Sequence, residues 1–253
     1  MWTIRNFDQT RSTNDDAAAL LGAPEHAGAV LVADFQSAGR GRHDRAWVAP
    51  PGSSLLCTTI LPEPISTSAL WAVPFWTGLA LAEAIETLTG HRVTLQWPND
   101  LLVRGAKCAG VLCISRVIGA RAFVGCGTGV NVLRPADGSV YRDVRPAPSF
   151  LSDIAPTIAR DTMRDALLTA YSRRLPELAD PTAIARSWEA RAALDGTPYR
   201  LLVDGTNEPI VAVARAIADD GSLIVAHNGL RKCISLADAR VLRDFGFDGA
   251  VEG

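Results

Sequence analysis

The stretch Gln36-Ser-Ala-Gly39-Arg40-Gly41-Arg42-His43-Asp44-Arg45-Ala46-Trp47 decides how this chain is read. Arg40, Arg42 and Arg45 concentrate like charge within one loop, a repulsion that an arriving anion would relieve. Guanidinium groups are always charged and grip carboxylate or phosphate bidentately. Gly39 and Gly41 let the backbone take φ > 0 and bring its N–H groups close to a ligand. The loop therefore reads either as a site for a small anion or as a solvated turn whose arginines pair with nearby acids.

Outward from the loop, residues 28–35 read as a buried strand that feeds it, and 55–61 as the strand that leaves it. A connection this long between two strands is where binding functions concentrate. Upstream, residues 2–7 alternate as a short strand. Ser12-Thr13-Asn14 then precedes a helix with acids in its first turn, where Ser12 can cap the helix or face a polar ligand. Downstream the pattern predicts a helix over 69–88, a strand over 93–97 ending in Pro98-Asn99-Asp100, and a hairpin pairing 101–103 with 108–115 around 104–107. A further strand covers 121–132. Its Gly125-x-Gly127-x-Gly129 is not GxGxxG, and no helix with an acid about 20 residues on follows, which rejects a dinucleotide fold. Residues 134–149 read as an irregular loop, and 162–175 and 182–193 as amphipathic helices. Short strands with Asp-Gly and Asn-Gly turns follow Gly196, which predicts domains over 1–195 and 196–253.

The whole chain has 253 residues, 48% hydrophobic and 21% charged, with a formal net charge of −2. That is an ordinary globular composition without the basic excess of a dedicated nucleic-acid binder. Its five cysteines, Cys57, Cys108, Cys113, Cys126 and Cys233, lack CxxC or paired-His spacing and read as free thiols in a reducing cytosol. Neither a signal peptide nor a membrane span is expected, so the reading is cytoplasmic. Lys107 at a hairpin tip reads as a solvated charge or as a compact cation reaching over the sheet. Asp100 is either a turn residue or an oxygen ligand for a divalent metal.

Taken together, Ser12-Thr13-Asn14, Gln36, Gly39-Arg40-Gly41-Arg42, Arg45 and Trp47, Trp97-Pro98-Asn99-Asp100, Lys107 with Gly110, and Gly129-Val130-Asn131 occur in the order and spacing of biotin protein ligases. The resemblance spans residues 2–135. It implies an α+β fold, a class II synthetase-like mixed sheet flanked by helices, with a small SH3-like β-barrel at the C-terminus. It also implies that biotin and ATP, assisted by Mg²⁺, give biotinyl-5′-AMP, which a lysine of a biotin carboxyl carrier protein domain of a biotin-dependent carboxylase then attacks. By position, Ser12, Thr13, Asn14 and Gln36 would contact or line the biotin pocket. Arg40, Gly41 and Arg42 would surround the carboxylate and α-phosphate, and Lys107 would sit by the activated carbonyl. Arg45, Trp47, Asn99 and Asn131 would lie near ATP, with Trp47 offering a stacking face to adenine, and Asp100 is the candidate metal ligand.

Three positions depart from the family pattern: Asp44 replaces a glycine, Gln96 replaces a lysine, and Cys113-Ile114-Ser115 lacks an acid. Asp44 is expected to take the left-handed conformation glycine would have had. The Gly-Arg-Gly-Arg run argues against a lipoate or octanoate ligase of the same superfamily, and the retained cations argue against a weakened biotin-binding protein. With no winged helix-turn-helix before Ser12, a single-function enzyme without DNA binding is expected, as a monomer or a homodimer.

Overall fold

The computed structural model describes residues 1–203, 208–236 and 239–242, apart from the side chains of Asp44, Ala239 and Arg240. The chain divides into two units, Met1–Ala192 and Ala193–Gly253. The first unit runs β1 (Thr3–Thr10), α1 (Thr13–Leu20), β2 (Ala29–Gln36), β3 (Ser54–Ile60), β4 (Ile65–Ser66), α2 (Val73–Thr89), β5 (Thr94–Gln96), β6 (Asp100–Val103), β7 (Ala106–Ile118), β8 (Arg121–Asn131), α3 (Arg160–Arg174) and α4 (Pro181–Ala192). Its sheet has the order β1-β2-β3-β8-β7-β6-β5, with β4 on the outer end of β8. β1 lies parallel to β2 and the other pairings are antiparallel, so the sheet is mixed, as expected.

The helix expected over 69–88 starts later. A 3-10 stretch, Thr67–Ala72, comes first, and the α-helix begins at Val73 with Pro74 in its first turn. Proline has no N–H to donate, so a helix can begin on it but does not run through it. α2 is apolar on nearly every side, which marks a helix covered all round. Phe75, Trp76, Ala80, Leu81 and Ile85 are all buried. Trp76 stacks on Tyr171 of α3 with centroids 4.8 Å apart, and Phe75 meets Trp188 of α4 edge-on at 5.2 Å. Among the described residues, the segment Thr67–Thr89 is the single stretch long and apolar enough to cross a membrane, and it is mostly buried in the core.

The second unit is a small antiparallel sheet: β9 (Pro198–Val203), β10 (Ile210–Ile217), β11 (Leu223–His227), β12 (Leu230–Ile234) and β13 (Ala239–Val241), in the order β12-β11-β10-β9-β13. Asn228 and Gly229, at φ 51° and 73°, turn β11 into β12, as an Asn-Gly pair does in a tight hairpin.

The two faces of the large sheet differ because β8 alternates. Cys126 and Val130 are buried in the core, and Thr128 bonds Cys57 across β3. Gly125, Gly127 and Gly129 point the other way, where side chains from elsewhere lie directly on the strand. A Cβ on Gly127 would fall onto the Asn14 amide and within 2.5 Å of the Leu112 carbonyl. One on Gly129 would come within 2.6 Å of the Trp47 ring. The motif that failed as a dinucleotide fingerprint is thus a floor cleared of side chains. Gly127→Ala is expected to cost about 1–3 kcal/mol in urea denaturation. Gly138→Ala, where a Cβ meets nothing within 4 Å, should change stability little.

Candidate active site

The parallel β1–β2 ladder does not stop at the strand ends. Ser37 N–H donates to Thr10 O and Ala38 N–H to Arg11 O, both at 2.9 Å, so the arginine loop leaves the sheet alongside the start of α1. There Ser12, Thr13 and Asn14 are buried. Ser12 occupies the N-cap position but makes no side-chain cap bond, so its hydroxyl is not used to close the helix. Gln36 Oε1 accepts from Thr13 N–H at 2.7 Å and from its hydroxyl at 2.9 Å. Asn14 Nδ2 donates to Leu112 O at 3.0 Å, and the Thr58 hydroxyl lies 2.7 Å from Asn14 Oδ1 and 2.9 Å from Thr13 Oγ1. These polar groups orient one another in a pocket wall that crosses β8 at Gly127. Thr58 is the member that sequence reading missed. It sits inside an apolar run, where one hydroxyl carries no signal of its own.

The loop is itself folded. Trp47 N–H donates to Gly39 O at 2.9 Å and Gly41 N–H to Arg45 O at 2.7 Å, with a bridge between Arg40 and Ala46. The left-handed residue at its tip is His43, at φ 53°, one position before Asp44, where it was expected. The Asp44 side chain lies outside what is described. Gly39 is required by its surroundings, since a Cβ would come within 2.8 Å of Trp47 O.

Trp47 lays its ring on Gly129 and Gly110, and the Lys107 ammonium stands 5.1 Å from the ring centroid, within cation–π reach. Lys107 reaches this face through a β-bulge. Leu101 pairs with Ala109 and Leu102 with Lys107, which leaves Cys108 as the extra residue. Bulges re-aim side chains. Here Cys108 turns fully into the core, and Lys107 joins Gly110 and Asp100 on the open face. Asp100, itself buried, pairs with Lys107 at 2.6 Å. Burial, followed by the nearby Arg45 charge, brings the Lys107 ammonium down from 10.5 to about 8. Burial and Arg45 likewise lower Arg42. Arg45 thus acts as a like charge on both Lys107 and Arg42.

The remaining candidates have supporting contacts. Asn99 Nδ2 donates to Val111 O at 2.6 Å and Val111 N–H donates back to Asn99 O at 2.9 Å, which pins β7 beside Asp100. Asn131 Nδ2 lies 3.4 Å from Lys107 O. Gly110 leaves room for the Lys107 side chain, whose Nζ would stand 3.1 Å from a Cβ there. Arg40 pairs with Asp15 in the first turn of α1. Among the described residues no group of three His, Cys, Asp or Glu side chains is placed to hold a metal. The Asp100 carboxylate considered for that role faces Lys107.

The model of the biotin/lipoate A/B protein ligase family matches residues 6–131. A biotin–[acetyl-CoA-carboxylase] ligase of Mycobacterium tuberculosis is 31% identical over 244 residues, covering 93% of this chain and 87% of the relative. The enzyme of the same name from Paracoccus denitrificans is 32% identical over 237 residues, covering 91% and 97%. In fold, the chain resembles the biotin protein ligase of Aquifex aeolicus solved with biotin and ATP, at TM-score 0.75 and 22% identity over 95% of this chain and 99% of that one. With relatives this similar over nearly their whole length, and with the arginine loop, the α1 pocket and Lys107 assembled on one glycine floor, the chain belongs to the biotin protein ligase family.

Proposed function

We propose that this protein uses ATP to join biotin to a lysine of a carboxylase's carrier domain, in two steps on the glycine floor of β8. The observation that carries the reading is the continuity of two unlike sites along that strand. A buried polar pocket ends at Gly127, and two residues on the Trp47 ring covers Gly129, with Lys107 beside it over Gly110. A neutral, hydrogen-bonding ring system fits the first, and a carboxylate meeting a phosphate fits the second.

In the first step a biotin carboxylate oxygen attacks the α-phosphorus of ATP. The bond to the β-phosphate oxygen breaks, and pyrophosphate leaves. Two anions must approach within bonding distance, so fixed cations matter more than any proton transfer. Arg40 and Arg42 take that role in the loop, with Arg45 beside them, and Lys107 supplies a fourth cation from the β6–β7 hairpin. Thr13, Asn14 and Gln36, held by Thr58 and Leu112, present a fixed set of donors and acceptors to the ring, with Ser12 beside them. Trp47, lying on the floor beside Lys107, is the flat surface against which a base can stack. Mg²⁺ would neutralise phosphate charge. With a single candidate carboxylate, Asp100, the site suits an ion held mainly by phosphate oxygens and water. In the second step the carrier lysine's amine attacks the anhydride carbonyl, an amide forms, AMP leaves and the amine loses a proton. The folded loop shields the anhydride from water in the interval.

Incubation with biotin, Mg·ATP and a purified carrier domain, read by intact mass, should add one biotinyl group to the carrier. Lipoate in place of biotin should add nothing. Lys107→Ala should abolish transfer, and full transfer by that variant would remove Lys107 from the mechanism. The pH dependence follows from the lowered ammonium. The Lys107 cation is complete well below pH 8 and is lost as pH rises through about 8. The kcat/KM of pyrophosphate release, which reports the free enzyme, should therefore fall on the alkaline side with a midpoint near that value. Lys107→Arg, which stays charged, should lack this limb whatever its absolute rate.

A further inference from the structure

The two acids that open α1 do different jobs. Asp16 accepts a hydrogen bond from the Thr10 hydroxyl at 2.7 Å and so braces the end of β1. Asp15 reaches the other way and pairs with Arg40 Nη2 in the loop. Both members of that pair are partly in water, with side chains 48% and 38% exposed. Removing Asp15 therefore leaves no stranded buried charge. Arg40 is the first cation after the loop leaves the β1–β2 ladder, and its backbone bridges Ala46 across the loop stem. A tether on Arg40 thus holds both sides of the stem.

We propose that Asp15 is a positioning residue. It holds the Arg40 guanidinium against the first turn of α1 and keeps the loop folded over the glycine floor before any substrate anion arrives. A guanidinium carries five donors and the contact with Asp15 engages Nη2, so donors remain for the substrate. Asp15 does not compete with the ligand. It aims the group that receives it, beside the pocket formed by Ser12, Thr13 and Asn14. The same carboxylate also sits favourably at a helix N-terminus. A role confined to that would stabilise α1 and leave the loop unchanged.

Trypsin separates the two roles, because it cleaves after Arg40, Arg42 and Arg45. In the full chain without ligands, Asp15→Asn should raise cleavage at these three bonds roughly three-fold, the scale of an exposed ion pair. Cleavage elsewhere should be unchanged, and Asp15→Glu should restore protection. Equal loop cleavage in wild type and Asp15→Asn, or a rise spread over the whole chain, would overturn the proposal. A second arm rests on the proposed function. In pyrophosphate release, the KM for ATP should rise by a factor of about three with kcat unchanged, because bound substrate can reorder the loop at its own expense. A fall in kcat at unchanged KM would overturn the positioning role. If the wild type releases no pyrophosphate with biotin, the functional reading fails while the tryptic arm still decides whether Asp15 anchors the loop.

Discussion

The arrangement depends on a run of strand whose glycines present no side chains. At Gly127 and Gly129 of β8 and at Gly110 of β7, backbone lies bare, and three of the candidate side chains rest on it. The Asn14 amide crosses at Gly127, the Trp47 ring covers Gly129, and the Lys107 side chain packs on Gly110. A methyl group at the first two positions would lift these groups from the sheet and break their spacing. Glycine usually weakens a strand, because it loses more chain entropy and packs nothing. Here β8 is paired on both sides by β3 and β7, and Ala122, Val124, Cys126 and Val130 are buried on its other face, so the sheet tolerates the weakness.

Above that floor, cations gather beside a hydrogen-bonding pocket. Lys107 has a buried partner in Asp100 and Arg40 an exposed one in Asp15. Arg45, by contrast, acts on Arg42 and Lys107 as a like charge. That repulsion lies beside a pocket already lined with hydrogen-bonding groups. The polar pocket is held by hydrogen bonds among its own members, and the loop stem by the Arg40–Ala46 bridge.

Much of this was legible in the sequence, for identifiable reasons. The strands around the loop, the long apolar helix and the Asn-Gly hairpin of the second unit follow from hydrophobic period and turn chemistry, which are local. Ser12-Thr13-Asn14 and the arginines stood out because polar or charged residues at the ends of apolar runs need an explanation. What was missed depends on tertiary contact. Thr58 is one hydroxyl in a buried strand and gains meaning only when Asn14 lies across it. Asp15 looked like any acid in a helix's first turn until the loop brought Arg40 beside it. The left-handed turn was assigned to Asp44 by analogy with glycine, yet the backbone bends one residue earlier, at His43. Composition does not fix which residue of a short loop absorbs the turn.

The bulge at Cys108 has a consequence for how this hairpin can vary. Side chains alternate along a strand, so facing is a matter of parity, and the extra residue is what gives Lys107 and Gly110, three apart, the same facing. Deleting one residue between them would restore regular pairing and improve the sheet locally. It would leave Lys107 and Gly110 two apart and still on one face, but it would take one of two buried side chains, Cys108 or Ala109, out of the core. The bulge therefore lets two successive residues, Cys108 and Ala109, both be buried while Lys107 and Gly110 share the open face, which a regular strand with alternating side chains does not allow.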